Sequence, residues 1–235
     1  MNYNRTGDAV FTLVVAMVSS YFLIRWGSAG LSLAVWLILL PLYIFRIIVW
    51  SNWDFWRRKI YYHGTPRLWM GTVFILWTFS AYLLFQMREM FTVTALTFHP
   101  LLSTIGFFAA LAGLLVTIWT LWLLGLERAV LTTLIFGEKT PSQKNIIRHG
   151  PYALTPHPMF MGEGMIIVGT FFFSGEGSLL ILLLISTAAN LVAARGEEKD
   201  LKNRSREEYS RYLKDGNFIL GPWSKSLGKY TNKKR

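Results

Sequence analysis

The chain contains no cysteine among its 235 residues. Without thiols it has no disulfide framework, no thiolate metal site and no cysteine nucleophile. Disulfide-stapled secreted domains and cysteine-dependent enzymes are therefore excluded. The redox compartment cannot be read from the sequence, because no set of cysteines is there to indicate it.

Nucleotide and metal motifs are also missing. The chain has no phosphate-binding loop, no GxGxxG following a strand and no GxSxG nucleophile elbow. Its four histidines, at positions 63, 99, 149 and 157, do not have the spacing of metal ligands. These absences argue against a metal hydrolase and predict no metal site.

Charged residues make up only 16% of the chain, whereas 53% of its residues are hydrophobic and the mean hydropathy is +0.37. A soluble domain rarely needs so much apolar surface. Apolar runs near the roughly 20 residues needed to cross a bilayer recur along the sequence. The composition therefore predicts a polytopic, all-α integral membrane protein.

The charges that are present are mostly positive, with a formal net charge of +11. Half of the 24 Lys and Arg residues lie between Arg195 and Arg235, and most of the others cluster in two segments, 51–67 and 127–150. Lys and Arg concentrate in the cytoplasmic loops of membrane proteins and are attracted to anionic headgroups. We therefore attribute the charge to orientation in the membrane and expect no nucleic-acid partner.

This distribution of Lys and Arg predicts six transmembrane helices, with both termini on the cytoplasmic side. The last two are short, so they form either two tilted spans or a hairpin inside the bundle. A cytoplasmic amphipathic helix should follow, with Tyr209 and Tyr212 on its apolar face. The predicted spans are 9–24, 29–50, 68–85, 101–126, 159–173 and 179–194, with the loops around Gly27, His99 and Gly175 on the opposite face.

We expect a single membrane domain over residues 1–235. Within it, 1–67 would form N-terminal accessory helices, 68–222 the core and 223–235 a basic tail.

Individual residues in the spans carry further expectations. Pro41 predicts a kink in the second helix, and the long side chain of Arg46 near its end is expected to reach the headgroups. Gly106, Gly113 and Gly125 predict close helix approach in the fourth span.

The segment from His149 to Glu163 reads as a rigid entrance to a membrane helix. Pro151, Pro156 and Pro158 favour extended backbone and prevent the helix from forming early. His157, held between two of them, has little positional freedom and stands at a helix N-terminus, where anions are favoured. Two interpretations stay open, a functional residue or a histidine that merely caps the helix. The similar pair His99-Pro100 is assigned no chemistry.

Acidic side chains give two further candidates. Glu163 lies inside an apolar run, where an ionisable side chain is costly and usually faces the bundle interior or a polar cavity. Arg195, Glu197 and Glu198 directly follow the last apolar run. They form either a solvated junction, with carboxylates in a first helical turn, or one cation and two carboxylates that bind a zwitterionic cofactor.

The order of these motifs is similar to that of a known family. HGPY at 149–152, HPMFMGE at 157–163, an apolar hairpin and a Glu-Glu pair whose Glu198 lies eleven residues before Tyr209 follow one another. This pattern resembles the membrane-embedded methyltransferases that include isoprenylcysteine carboxyl methyltransferase and the phospholipid (phosphatidylethanolamine) methyltransferases. The resemblance covers residues 140–222, with weaker support from the two preceding spans.

The resemblance implies a methyltransferase core that uses S-adenosylmethionine as cofactor, without a Rossmann fold, and transfers methyl to a lipid or lipidated substrate at the cytoplasmic face. The candidate catalytic residues are Arg195, to orient the substrate or a carboxylate, and Glu163 and Glu198. For an amine acceptor, Glu163, Glu197 or Glu198 would accept the proton. Carried over position by position, the cofactor-binding residues are Tyr152, His157, Pro158, Phe160, Gly162, Glu197 and Glu198.

Two departures from the family pattern keep alternatives open. Pro156 stands where the family usually has Arg, and Phe160 where it usually has Tyr, so a positive charge and a hydroxyl are missing. An NADPH-dependent sterol or steroid reductase of related fold is one alternative, favoured by the sequence Met161-Gly162-Glu163. A lipid-binding membrane protein without catalysis is the other, suggested by the missing Arg and Tyr. The methyl acceptor, and whether it is an oxygen, a nitrogen or a sulfur atom, stays open.

Overall fold

The computed structural model describes residues 5–90, 96–129 and 146–215, and every regular element in these ranges is a helix. This confirms the all-α prediction for the described part of the chain. The α-helices are α1 (Arg5–Ser51), α2 (Trp53–His63), α3 (Pro66–Gln86), α4 (Pro100–Leu124), α5 (Leu126–Ala129), α6 (Pro158–Ser174), α7 (Ser178–Arg204) and α8 (Arg206–Asp215), with 3-10 turns at Arg88–Met90 and Gly150–Ala153.

Four helical segments of the described residues are long and apolar enough to cross a membrane, whereas six were predicted. They are Gly27–Ser51, Pro66–Gln86, Pro100–Leu124 and Ser178–Asn203. The apolar helix α6 has 17 residues, and at 1.5 Å per residue it spans about 25 Å, short of the roughly 30 Å hydrocarbon core. The choice between two tilted spans and a hairpin inside the bundle therefore stays a prediction for this helix.

The first helix is interrupted at Gly27, where the sequence predicted a turn. Gly27 has φ 62 and ψ −141, a conformation that glycine adopts without steric penalty. Pro41 lies within the helix and is not a point of non-helical backbone. The backbone over the predicted span 9–24 is helical, but most of its side chains lie outside the described part of the structure, so this span stays a prediction.

The main core lies where α1 packs against α6 and α7. Tyr43 of α1, Ile167 of α6 and Leu182 of α7 are almost fully buried within one cluster. The indole of Trp36 donates a hydrogen bond to Ser178 at 3.2 Å, which ties the middle of α1 to the start of α7. The accessory helix α1 is thus an integral part of the bundle core.

Glycines allow α4 and α6 to approach closely in antiparallel orientation. A Cβ on Gly113 would lie 2.6 Å from the carbonyl oxygen of Gly162, and one on Gly106 would lie 2.7 Å from that of Gly169. The prediction of close approach is confirmed for Gly106 and Gly113. Gly125 follows the last residue of α4 with φ 82, and for this position close approach stays a prediction.

Large apolar side chains cover the outer faces of α3 and α4. Ile75 and Phe79 of α3, and Phe108 and Trp119 of α4, are each more than half exposed. In water such a surface would be unfavourable, but within a bilayer it contacts lipid chains.

One end of the bundle gathers the C-terminus of α1, the N-terminus of α6 and the C-terminal part of α7. The side chain of Trp50 occupies the space beside Gly196, and it stacks on Trp53 of α2 with ring centroids 4.7 Å apart. Most of the predicted basic loop 51–67 is therefore the helix α2, and it lies at this end. The second basic segment lies largely at 130–145, outside the described residues.

The C-terminal helices differ from the prediction in where they break. α7 continues through Arg195 to Arg204, and the chain breaks at Ser205 before α8 begins. Glu197 and Glu198 are therefore in the last third of a long helix and not in a first helical turn. Gly196 but no proline lies at the boundary between the apolar and polar parts of this segment, and helical hydrogen bonding carries through the change in polarity. Residues 216–235, including the predicted tail, lie outside the described part.

Candidate functional site

His157 stands immediately before the first residue of α6, as the sequence predicted, but its side chain does not cap that helix. Its Nδ1 lies 3.4 Å from Oε2 of Glu197, and its Nε2 lies 3.2 Å from Oε1 of Glu198. His99 contrasts with it, because the Nδ1 of His99 accepts a hydrogen bond from the backbone N–H of Leu101 at the start of α4. Of the two interpretations left open for His157, simple capping is excluded.

The two carboxylates hold His157 in its charged form. Burial lowers the pKa of the imidazole, but hydrogen bonds to Glu197 and Glu198, together with the charges of these carboxylates, raise it to about 9. His157 is therefore an imidazolium at neutral pH, with one carboxylate at each ring nitrogen.

Glu197 and Glu198 differ in exposure. Glu198 is buried, with 1% of its side chain exposed, and its Oε2 lies 3.9 Å from Nζ of Lys202 one turn later. The Glu197 side chain is 34% exposed. Adjacent positions on a helix point about 100° apart, which lets the two carboxylates reach opposite sides of one imidazole. Glu197 is the more accessible of the two to a ligand.

Helix α8 closes this cluster from the other side. The Tyr212 hydroxyl donates a hydrogen bond to the carbonyl oxygen of Tyr152 at 2.6 Å, and Arg148 lies 3.7 Å from Glu208. Tyr209 is 1% exposed, and its hydroxyl makes no hydrogen bond to any residue that the structure describes. Burial, and then the charge of Glu198, raise the pKa of Tyr209. A neutral, unpaired hydroxyl thus lies buried beside the carboxylates.

A second polar cluster joins three helices in the bundle interior. Arg46 of α1 donates to both carboxylate oxygens of Glu163 on α6, at 2.6 and 2.7 Å, and to Oδ1 of Asn190 on α7 at 2.6 Å. Arg46 is only 6% exposed. The expectation that its side chain reaches the headgroups is therefore wrong, because Glu163 offers a bidentate partner inside the bundle.

Phe160 lies between the two clusters. Its ring is parallel to that of His157, with an interplanar angle of 2° and centroids 5.2 Å apart. The guanidinium carbon of Arg46 lies 4.6 Å from the centroid of the same ring. The Phe160 ring is therefore within cation–π distance of both Arg46 and His157.

A cavity of about 400 Å³ extends from this point along α6 and α7. At its polar end lie Thr155, His157 and Asn190, and Phe160 forms part of its wall. Further along, apolar residues such as Met165, Val168 and Leu183 line it. The cavity is shaped for a ligand with one polar end and an apolar chain.

The structure brings together some of the predicted site residues and separates others. His157, Phe160, Glu197 and Glu198 are in mutual contact or share a partner, and Pro158 is buried as the first residue of α6. Gly162 lies at the contact with Gly113 and Thr117 of α4. Tyr152 joins the site through its backbone. Arg195 is exposed and makes no ion pair with any residue in the described ranges.

Arg46 and Asn190 were not identified as site residues from the sequence. Both carry a detectable signal, since a polar or ionisable side chain within an apolar span usually faces the bundle interior. For Arg46 that signal competes with the ability of a long side chain near a helix end to reach the interface. Only the position of Glu163 on a neighbouring helix decides between the two.

Residues 101–205 match the model of one protein family, described as phospholipid methyltransferase. The matched segment runs from the first turn of α4 to the end of α7, so it includes His157, Glu197 and Glu198 and excludes α1 with Arg46. The resemblance read from the motifs is confirmed for this segment, which begins earlier than the predicted 140–222 and stops before α8. No curated protein and no solved structure matches the chain.

This segment is therefore similar to phospholipid methyltransferases. The four helices that are long and apolar enough to cross a membrane indicate a membrane protein.

Proposed function

We propose that this protein transfers the methyl group of S-adenosylmethionine to a lipophilic substrate, a phospholipid headgroup amine or a prenylcysteine-like carboxylate, at the cytoplasmic face of a membrane. The observation that carries this proposal is the buried His157, flanked by Glu197 and Glu198 at the polar end of an apolar cavity. The family match over residues 101–205 supports the same reaction class.

The polar groups around His157 fit the chemistry of the donor. S-adenosylmethionine carries an ammonium group, ribose hydroxyls and a carboxylate, and its sulfonium supplies an electrophilic methyl group. Glu197 and Glu198 suit the ammonium or the hydroxyls, and the imidazolium of His157, with one carboxylate at each ring nitrogen, holds both in place. The buried Tyr209 hydroxyl has no hydrogen-bond partner among the described residues and is available to a ligand.

The cavity along α6 and α7 fits the lipid acceptor. A chain lying beside Met165, Val168 and Leu183 would bring its polar head to the His157 end. Displacement at a sulfonium methyl depends on alignment and on exclusion of water more than on a strong base. An amine acceptor must in addition lose a proton, and Glu197, with its partly exposed carboxylate, is well situated to take it.

The catalytic roles expected for Arg195 and Glu163 stay proposals with less structural support. Arg195 is exposed, so orienting a substrate would require that the substrate reach the surface of α7. Both carboxylate oxygens of Glu163 accept hydrogen bonds from Arg46, which leaves that group little capacity as a base.

The cofactor is tested by titrating the detergent-purified protein with S-adenosylhomocysteine and, separately, with NADPH, using calorimetry and thermal shift. We expect stabilisation and saturable binding with S-adenosylhomocysteine alone. Stabilisation by NADPH alone would instead identify a reductase, and the absence of binding by both would favour a non-catalytic lipid-binding protein.

Single substitutions locate the donor pocket. We expect His157→Ala and Glu198→Ala to abolish binding of S-adenosylhomocysteine, because each removes one half of a buried charged pair. His99→Ala is the matched control, since His99 also precedes a proline at a helix start but lies outside the cluster. Equal loss of binding in the control would contradict this location.

A further inference from the structure

We propose that Arg46 is a positioning residue that sets the wall of the lipid cavity and the orientation of His157, although it lies outside the segment that matches the family. This inference rests on the proposed function, because it assigns Arg46 to the same donor and acceptor site. Arg46 does not itself line the cavity, so it would act through the side chains that it holds.

The hydrogen bonds of the Arg46 side chain hold its guanidinium group in one orientation. Nη1 donates hydrogen bonds to Oε2 of Glu163 and to Oδ1 of Asn190. Nη2 donates to Oε1 of Glu163 and lies 3.5 Å from the sulfur of Met159. A guanidinium is planar and presents its donors in a fixed fork, which an ammonium group cannot reproduce. Arg46 therefore fixes α1, α6 and α7 relative to one another at this level.

Two of the side chains that contact Arg46 line the cavity. Phe160, under the guanidinium, and Asn190, at its hydrogen-bonding edge, both line the cavity. The Phe160 ring also lies parallel to the His157 ring, with centroids 5.2 Å apart. A shift of the guanidinium would thus move the cavity wall through Asn190. Through Phe160 it would also move His157, which contacts Glu197 and Glu198.

Arg46 and Glu163 form a buried ion pair between α1 and α6. Burying two charges is costly, and well-packed apolar side chains often stabilise a fold as well as or better than a buried pair. Adhesion between α1, α6 and α7 therefore does not by itself require Arg46, Glu163 and Asn190. Ionisable residues inside membrane helices more often mark functional sites.

The decisive comparison separates positioning from stability. In the double variant Arg46→Met with Glu163→Met, apolar side chains replace both charges, so no unpaired charge is left and we expect a melting temperature close to that of the wild type. The affinity for S-adenosylhomocysteine and the retention of added phosphatidylethanolamine, measured by calorimetry and native mass spectrometry, should each fall by about tenfold or more, since small misplacements in a reaction site have large effects.

Two single variants cover the case in which the double variant does not fold. Arg46→Lys keeps a positive charge beside Glu163 but loses the planar fork of donors. Asn190→Leu removes the hydrogen bonds of Asn190 with Arg46, Glu163 and Ser186 and leaves the pair Arg46–Glu163 in place. We expect both to fold, Arg46→Lys to lose affinity for both probes and Asn190→Leu to lose mainly phosphatidylethanolamine. Arg25→Met is the control on the same helix, at an exposed position, and should bind both probes as the wild type does.

The outcomes distinguish this inference from the proposed function. Wild-type affinity for both probes in folded Arg46 variants would overturn the positioning role while leaving the methyltransferase proposal intact. Failure of the wild type itself to bind S-adenosylhomocysteine would remove the proposed function. Loss of phosphatidylethanolamine from the Arg46 variants would then still support the role of Arg46 in forming the cavity.

Discussion

At the scale of single residues, two histidines that each precede a proline have different roles. His99 accepts a backbone hydrogen bond at the start of α4, whereas His157 faces two carboxylates from another helix. Both share the His-Pro pair at a helix start, and the tertiary partners of the two side chains differ. Because Glu197 and Glu198 raise the pKa of His157 to about 9, this residue also links the site to pH.

His157 should make the stability of the protein depend on pH in the alkaline range. Its folded-state pKa of about 9 is above the unfolded value of 6.5, so its contribution is fully present below pH 6.5 and is lost as the pH rises through 9. The contribution is on the order of 3 kcal/mol at 1.36 kcal/mol per pKa unit. Melting temperatures measured from pH 6 to pH 9.5 should therefore decline.

The variant His157→Gln identifies the origin of that decline. It cannot titrate, so its melting temperature should be lower at pH 6 and should vary less between pH 6.5 and 9 than that of the wild type. A wild-type slope retained in His157→Gln would assign the pH dependence to other groups.

At the scale of elements, the contact between α4 and α6 fixes the position of His157 and Phe160 at the start of α6. The glycines along this contact allow backbone to lie against backbone, with Gly113 beside Gly162 and Gly106 beside Gly169. α6 begins at the site with Pro158, so any displacement of α6 along α4 also moves His157 and Phe160. A short helix with little lipid anchoring depends on such packing for its position.

Substitution at this contact should destabilise the bundle. In Gly113→Ala the added methyl would lie 2.6 Å from the Gly162 carbonyl oxygen, so the helices must separate. We expect a loss of about 1–3 kcal/mol, as is typical of overpacking. Thermal unfolding of the detergent-purified variant provides the measurement.

Gly164→Ala is the matched control, because Gly164 lies on α6 and a Cβ there would meet nothing within 4 Å. Removing a helical glycine at an open position should leave the melting temperature unchanged or raise it slightly. Equal destabilisation in both variants would show that helix propensity, and not the α4–α6 contact, sets the effect.

At the scale of the whole molecule, the helices define two ends. The basic helix α2, the N-terminus of α6 and the C-terminal part of α7 share one end. At the other end, the backbone N–H of Leu96, near the start of α4, bonds to the carbonyl of Gly175 at the turn between α6 and α7. This arrangement agrees with the distribution of basic residues, which predicts that the site end is cytoplasmic.

The absence of cysteine makes this orientation directly measurable. Lys59→Cys on α2 and His99→Cys before α4 each introduce a single thiol at an exposed position on opposite ends. In intact cells a membrane-impermeant maleimide should label His99→Cys, whereas Lys59→Cys should require permeabilisation. The reverse pattern would invert the topology and locate the site on the other face.

The sequence by itself determined the class of the fold and pointed to His157, Glu197 and Glu198. Composition favours helices, because a continuous apolar run in lipid can satisfy its backbone hydrogen bonds within one segment only as a helix. The motifs around His157 and Glu197-Glu198 identified the two segments that meet, and the match over 101–205 is consistent with them. These features are local, so they can be read along one chain.

Tertiary structure alone decided which polar groups face one another. Arg46 has the same local sequence whether it reaches the headgroups or turns inward, and only Glu163 on α6 and Asn190 on α7 select the inward position. Likewise, the close packing of the 17-residue helix α6 along α4 depends on Gly106 and Gly113 of one helix meeting Gly162 and Gly169 of the other. The strength of a buried charge pair depends on partners distant in sequence, and hydropathy contains no information about them.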